Sequence, residues 1–320
     1  MTKTRNTFEK GFEKASRRVF SFNPMLADKS SLWSRGVGKN TDLLMAKWMG
    51  RVGLVIILFF VLFGVVGSAL VPYDQYQGST DIQQPSSWEH WFGTDNSGRD
   101  VFAQTVHGTT ASLLVGFVAM AISMFIGTVV GLASGYWGGW RDEVIMRIND
   151  VFLSVPWLVL MIVIASIWGR QDLLAVIVVI GISSWSATAR IVRSQVLTLK
   201  TRQFVERAKA IGSGEWHVIR KHVFPNVMPL IFANAILSVA MAILSEATLS
   251  FLRLGPQDVE TWGKILQEAS NWNAASVGPY AWIIMPGLFI VLTILGFTLM
   301  SYAMDEVLNP KLKERKTPYS

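Results

Sequence analysis

Long apolar runs separated by polar, turn-rich segments dominate this chain, and six of the runs are long enough to cross a bilayer. Val52 to Val71 carries no charged side chain, and as a helix rising about 1.5 Å per residue it crosses about 30 Å of hydrocarbon. The pattern places a second span from about Ser112 to Tyr136 and a fourth from Leu173 to about Ala189. The third enters through an amphipathic stretch, Asp142 to Val151, and continues past Pro156 to about Trp168. A fifth runs from about Val227 to Phe251 and a sixth from Trp282 to Tyr302. The fold class that follows is an all-α membrane protein of six transmembrane helices, with both ends on one side of the membrane.

Three polar segments interrupt the runs: 72–110, 190–226 and 254–280. The middle one is the most structured in pattern. Phe204 to Ile211 holds good helix formers, and Gly212 with Ser213-Gly214 supplies a stop, because glycine takes the left-handed cap conformation without steric cost. Glu215 to His222 is helical in pattern again, and Pro225 and Pro229 mark re-entry into an apolar run. A short helix, a turn and a second helix therefore present a surface. On the second span, Gly116, Gly127, Gly131, Ala133 and Gly135 permit close contact with another helix. Arg147 and Asp150, three residues apart, are placed to neutralise each other.

Composition supports the membrane reading, since 51% of the 320 residues are hydrophobic and the chain holds 13 Trp and 18 Phe. With no cysteine, disulfides and thiolate chemistry are excluded. The net charge of +7 could suggest nucleic acid, but its placement follows the membrane. Up to Arg51 there are 11 Lys/Arg against 4 Asp/Glu, and from Arg190 to His222 there are 8 against 2. Between Pro72 and Thr110, Arg99 stands alone against Asp74, Asp81, Glu89, Asp95 and Asp100. Basic loops stay inside, so both chain ends and the middle segment are expected in the cytoplasm and the 72–110 loop outside.

The first fifty residues begin too far from the first apolar run to be a cleaved signal. Phe8, Phe12, Ala15, Val19 and Phe22 recur at helical spacing up to Pro24, which fits an amphipathic helix on the inner leaflet or, equally, a tail with scattered aromatics. Gly36-Val37-Gly38-Lys39-Asn40 lacks the first glycine and the Ser/Thr of a phosphate loop, so the chain is expected to bind no nucleotide itself.

Glu206-Arg207-Ala208, three residues, Gly212, nine residues, then His222-Val223-Phe224-Pro225 resembles the cytoplasmic coupling loop of permease subunits of ATP-binding-cassette importers. Arg207 stands where alanine is usual, His222 where isoleucine is, and Phe224 where leucine is. Phe92-Gly93-Thr94-Asp95, two residues, Gly98-Arg99-Asp100 resembles the external loop of the dipeptide, oligopeptide and nickel branch of these permeases. Leu254-Gly255-Pro256-Gln257 and Thr261-Trp262-Gly263 are similar to the same branch, although Arg253 occupies a position usually held by glycine, so the backbone at that corner is expected to differ.

The resemblance covers about residues 50–312 and implies a type I importer permease domain over 51–312, preceded by a segment over 1–50 and followed by a tail over 313–320. It implies a non-catalytic subunit in a prokaryotic cell membrane, forming half of a pathway for di- or oligopeptides, with nickel chelates or oligosaccharides as the alternative cargo. Implied partners are a sister permease in a heterodimer, two ATP-binding subunits that hold ATP and Mg, an extracytoplasmic substrate-binding protein and membrane lipid. No metal and no nucleic acid are expected on this chain. Glu206, Ala208 and Gly212 would form the joint with the ATPases, Ala208 allowing close approach.

Two readings of the 72–110 motif stand side by side. It is a gate or docking surface, or else Asp95, Arg99 and Asp100 pair locally and cap the second span, the reading favoured by two acids flanking one arginine. Asn234 and Glu246 lie within the fifth span, where an ionisable group is costly unless it faces a wet cavity or interior. Glu246 is therefore either a pathway residue or a hydrated group near the outer interface. A channel or secondary transporter, which would work without ATPases, calls for charged residues lining several spans, and a membrane enzyme for clustered histidines. His90, His107, His217 and His222 are scattered along the chain instead.

Overall fold

The computed structural model describes residues 45, 47–73 and 78–308. The expected amphipathic helix at Phe8 to Phe22, the Gly36 to Asn40 segment, Asp74 and the 313–320 tail lie outside the described residues. The chain divides into two compact units, one formed by Met1–Arg51 and Ala303–Ser320 and the other by Val52–Tyr302. In the smaller unit Lys47 Nζ donates a charge-assisted hydrogen bond to Glu306. The larger unit holds the features on which function depends.

Among the described residues the regular elements are helices, with one isolated β-bridge between Thr94 and Asp100. In chain order the elements are α1 (Trp48–Leu70), α2 (Val101–Trp137), α3 (Gly139–Ser154), α4 (Trp157–Trp168), α5 (Leu173–Ser183) and α6 (Trp185–Lys200). There follow α7 (Gln203–Ala210), α8 (Glu215–Val218), a π-helical turn (Ile219–Val223), α9 (Phe224–Phe251), α10 (Trp262–Asn271), α11 (Ala274–Val277) and α12 (Tyr280–Leu308). Five stretches are long and apolar enough to cross a membrane by themselves, and α3 with α4 makes a sixth if the pair, bent by 95°, is one span.

Five of the expected spans are therefore present with different boundaries, and the third corresponds to the bent pair α3–α4. The second begins at Val101, not near Ser112, because polar residues that read as loop satisfy themselves within a helix. Asp100 caps it by accepting from the Phe102 and Ala103 amides, and the Thr105 and Thr109 hydroxyls donate to the carbonyls of Val101 and Thr105 at 2.7 and 2.8 Å. At 37 residues, α2 is about 55 Å long at about 1.5 Å per residue, longer than the roughly 30 Å thickness of the hydrocarbon.

The third span is broken, not continuous. Val155 and Pro156 take extended backbone, since proline restricts the residue before it and offers no N–H. The fourth continues past Ala189, so that Arg190 and Arg193 lie on helix α6 and the polar segment expected from residue 190 starts only after Lys200. These arginines are paired: Arg193 Nε and Nη2 each lie 2.7 Å from a carboxylate oxygen of Asp142, and Arg190 Nη2 lies 2.6 Å from Asp150. Asp150 thus pairs across to α6 and not with Arg147 on its own helix.

The α2–α6 contact is set by small residues four apart. A Cβ added at Gly127 would sit 2.7 Å from the Trp185 carbonyl, at Gly131 2.6 Å from the Ala189 carbonyl, and at Gly135 3.0 Å from the Arg193 carbonyl. No larger side chain fits there, so the two backbones touch. Gly116 serves α9 in the same way, with Ile243 Cγ1 only 2.6 Å from the added atom.

The corner after α9 keeps the conformation that glycine favours, although Arg253 occupies it. Arg253 has φ +64°, the Arg253 amide donates to Ser250 O at 3.0 Å and the Leu254 amide to Leu249 O at 2.9 Å. Those two bonds form a Schellman helix end. Its left-handed residue costs about 1 kcal/mol for a side chain other than glycine. Arg253→Gly is therefore expected to raise the thermal unfolding temperature of the detergent-purified protein by about 1–3 °C, and Arg253→Val to lower it. A lower temperature for the glycine variant would contradict this account of the corner.

Candidate functional site

The segment between α6 and α9 is a hairpin fastened to the end of α2. Helix α7 ends as the glycine spacing predicts: Gly212 has φ +84°, its amide donates to Lys209 O at 2.9 Å and the Ser213 amide to Ala208 O at 3.1 Å. An added Cβ at Gly212 would meet nothing within 4 Å, so conformation, not space, requires glycine. A continuous helix leaves the turn through α8 and the π-helical turn into α9, so the fifth span reaches back to Glu215. The π-helical turn lies directly before Pro225, whose missing N–H interrupts the regular ladder.

One face of the hairpin is buried. Val205 and Ala208 of α7, Val218, Ile219 and Val223 pack with Tyr136 of α2 and Val196 and Leu199 of α6. Ala208, 6% exposed, faces the bundle, which corrects the expectation that its small size serves an external partner. Of the three positions departing from the family pattern, Arg207 is exposed and the other two turn inward. Phe224 packs against this core, and His222 is half-buried with its ring 6.3 Å from Phe204 and 6.2 Å from His217. Polar contacts complete the attachment. Trp137 Nε1 donates to Glu215 at 3.0 Å, and the Lys200 and Lys209 ammonium groups lie 5.8 and 5.3 Å from the Tyr136 ring.

The opposite face is exposed. Glu206, Arg207 and Pro225 lie on the surface, joined by Ile211 at 83% exposure and Trp216 at 69%. Sequence reasoning missed both apolar residues, although each flanks the Gly212 to Gly214 turn that a groove-binding hairpin would lead with. Helical spacing could have shown that Val205 and Ala208 share the inward face.

A cavity of about 510 Å³ opens among α2, the α3–α4 bend, the α5–α6 junction and α9. Asn234 lines it and donates to Thr188 Oγ1 at 3.2 Å. Glu246 does not line it. Fully buried, its carboxyl accepts from Ser250 at 2.6 Å and Ser112 at 3.3 Å, and Ser112 also accepts from the Trp262 amide at 3.1 Å. Glu246 thus joins α2, α9 and α10 in the protein interior.

At the other end of α2 the Gly-Thr-Asp and Gly-Arg-Asp motif forms a compact ion network. Asp95 is completely buried and accepts from the Ser97 and Arg99 amides at 2.7 and 2.9 Å, from Arg99 Nε at 2.6 Å and from Gln104 Nε2 at 2.7 Å. Gly93 and Gly98 supply left-handed turns, and Thr94 Oγ1 accepts from the Gln84 amide at 2.9 Å. Arg99 also pairs with Glu268 at 3.0 Å and approaches Glu260 at 3.7 Å, which pairs with Lys264 at 3.3 Å. Asp100 pairs with His90 at 2.9 Å while capping α2, not with Arg99. Burial tends to lower the Arg99 pKa, but Asp95 and Glu268 outweigh it and raise the value. Burial, aided by Glu260, raises Glu268 above the ordinary glutamate range, and burial with Glu260 raises Tyr73. The motif is legible in sequence, but its partners on α10 are distant in the chain and were not.

These features define a multi-pass membrane protein with a two-faced hairpin at one end. Residues 127–314 match the family described as the binding-protein-dependent transport system inner membrane component. The dipeptide transport system permease protein DppC of Alkalihalophilus pseudofirmus is 37% identical over 82% of this chain and 86% of its own length. The protein of the same name from Bacillus subtilis is 36% identical over 91% and 88%, and the oligopeptide transport system permease protein OppC of Bacillus subtilis 32% over 95% and 97%. A chain in an inward-facing structure of the MetNI methionine ABC transporter aligns with a TM-score of 0.51 at 20% identity, over 65% of this chain and 96% of that one, and shares its fold. The chain belongs to the binding-protein-dependent transport system inner membrane components.

Asp95→Asn replaces one accepting oxygen of the buried carboxylate by an amide NH2, so that donors of Arg99 and Gln104 face another donor, and it is expected to destabilise the purified protein by about 1–3 kcal/mol, read by thermal unfolding. Glu268→Gln is expected to cost less than about 1 kcal/mol, because the amide oxygen still accepts from Arg99. A raised folded pKa makes the Glu268 contribution full below the ordinary glutamate value and lost as pH rises through the folded value. Relative to Glu268→Gln, the native protein should therefore lose stability between about pH 4 and neutrality, and an increase over that interval would contradict the assignment.

Proposed function

We propose that this protein is one permease half of an ATP-driven importer of di- or oligopeptides, working with a sister permease, two ATP-binding subunits and an extracytoplasmic substrate-binding protein. ATP and Mg belong to the ATP-binding subunits. The observation that carries the reading is the two-faced hairpin. Its inner face is bound to α2 and α6 by a buried core, while Ile211 and Trp216 are left on a surface otherwise rich in charge.

An exposed apolar pair at the tip of a firmly held helix is suited to insertion in a groove. Displacement of that groove would be carried through the hairpin into α6, α9 and α2, which line the cavity. Glu206 and Arg207 flank the contact and would select partner and orientation. The hairpin side is assigned to the cytoplasm by the excess of Lys/Arg between Arg190 and His222, and the ion-network side to the exterior. Peptide cargo is supported by the names of the relatives, and the cavity volume suits a small peptide.

Affinity purification from membranes tests the assembly. The native protein should retain two ATP-binding subunits and a sister permease. Ile211→Asp removes about 1.5–3 kcal/mol of apolar burial, so retention of the ATP-binding subunits should fall about 10- to 100-fold while the sister permease stays. Glu206→Lys should act in the same direction. Retention unchanged in both variants would contradict the hairpin as the joint, and transport by the isolated chain in vesicles would favour a channel or secondary transporter.

A further inference from the structure

The wall of the cavity between α2 and α9 carries several hydroxyls and no acidic or basic side chain. Most of those hydroxyls are already satisfied. Ser183 donates to Val179 O at 2.6 Å, Ser238 to Asn234 O at 2.9 Å and Ser245 to Met241 O at 2.7 Å, each one helical turn back, as serine commonly does within a helix. Thr188 is engaged by Asn234. Ser123 of α2 and Ser186 of α6 differ: each is at least 97% buried, with relative exposures of 2% and 3%, each lines the cavity, and neither Oγ has a hydrogen-bond partner. Ser184, the remaining hydroxyl, is exposed, whereas a buried hydroxyl without a partner costs about 1–3 kcal/mol, so these two await a ligand group.

We propose that Ser123 and Ser186 form a hydrogen-bonding subsite for uncharged polar groups of the cargo, namely the amide N–H and C=O of a peptide backbone. A hydroxyl both donates and accepts, so it serves either group in either chain direction and at any residue, whatever the side chains. The uncharged wall fits the same use. It offers no counterion for a lone charge and engages what every peptide repeats. Apolar neighbours, including Met120, Trp157 and Met241, leave side-chain contacts adaptable. The inference rests on the peptide-importer reading and specifies how this half of the pathway holds its cargo.

The test is uptake of radiolabelled trialanine by membrane vesicles containing the whole importer and its delivery protein, with thermal unfolding of each purified complex as the second measurement. Ser123→Ala and Ser186→Ala should each reduce uptake about fivefold, one hydrogen bond each, while unfolding temperature is unchanged or higher because an unpaired hydroxyl has been removed. Thr248→Ala, whose hydroxyl donates to Leu244 O at 2.7 Å on α9 outside the cavity, should leave uptake within about twofold of the native rate. Native uptake with undiminished uptake in both variants overturns the subsite and leaves the peptide-importer reading intact, as does a loss of uptake matched by a loss of stability. If the native importer moves no trialanine, both the subsite and the peptide reading are overturned.

Discussion

Backbone contact between α2 and α6 is the constraint on which the rest of the structure depends. In hydrocarbon, helices gain little from apolar burial alone, so close packing must hold them together. Gly127, Gly131 and Gly135 bring α2 against the carbonyls of α6. The consequence reaches both ways along the pair. Toward one end it aligns Lys200 and the hairpin with Tyr136 and Trp137. Toward the middle it brings Ser123, Thr188 and Ser186 to one wall of the cavity.

The two ends of α2 are held by different physics. At the hairpin end an apolar core fixes the inner face, and the polar bonds lie at its edge, where they orient more than they stabilise. At the opposite end charges are buried together, with Asp95 and Arg99 at the centre and Glu260 and Glu268 reaching in from α10 and its approach. Breaking such a cluster is costly because the remaining charges lose part of their compensation away from water. A rigid rod with one end locked and the other presenting an apolar tip suits a lever that carries movement into a cavity between them.

Much of this was legible from residue order. Uncharged runs located the spans, and Gly212 located the hairpin turn, because each depends on local composition. Boundaries were misread where polar side chains were answered within a helix or across to another. Thr105 and Thr109 read as loop but bond one turn back within α2, and Arg190 and Arg193 read as cytoplasmic loop but pair with Asp150 and Asp142. Ala208 was assigned outward by family resemblance, whereas its spacing from Val205 placed both on the buried face. Arg253 shows the reverse: the helix-end hydrogen bonds impose a left-handed residue that its side chain disfavours. Unpaired hydroxyls at Ser123 and Ser186 had no sequence signal, since serines with satisfied partners surround the same cavity.

The division of the hairpin into a buried face and a docking face is tested most directly by site-specific cross-linking. The chain contains no cysteine, so Ile211→Cys and Ala208→Cys each introduce a single thiol that can carry a maleimide photocross-linker in membranes. The account predicts adducts to an ATP-binding subunit from position 211, with little labelling and no adduct from position 208. Adducts from position 208 and none from position 211 would contradict it.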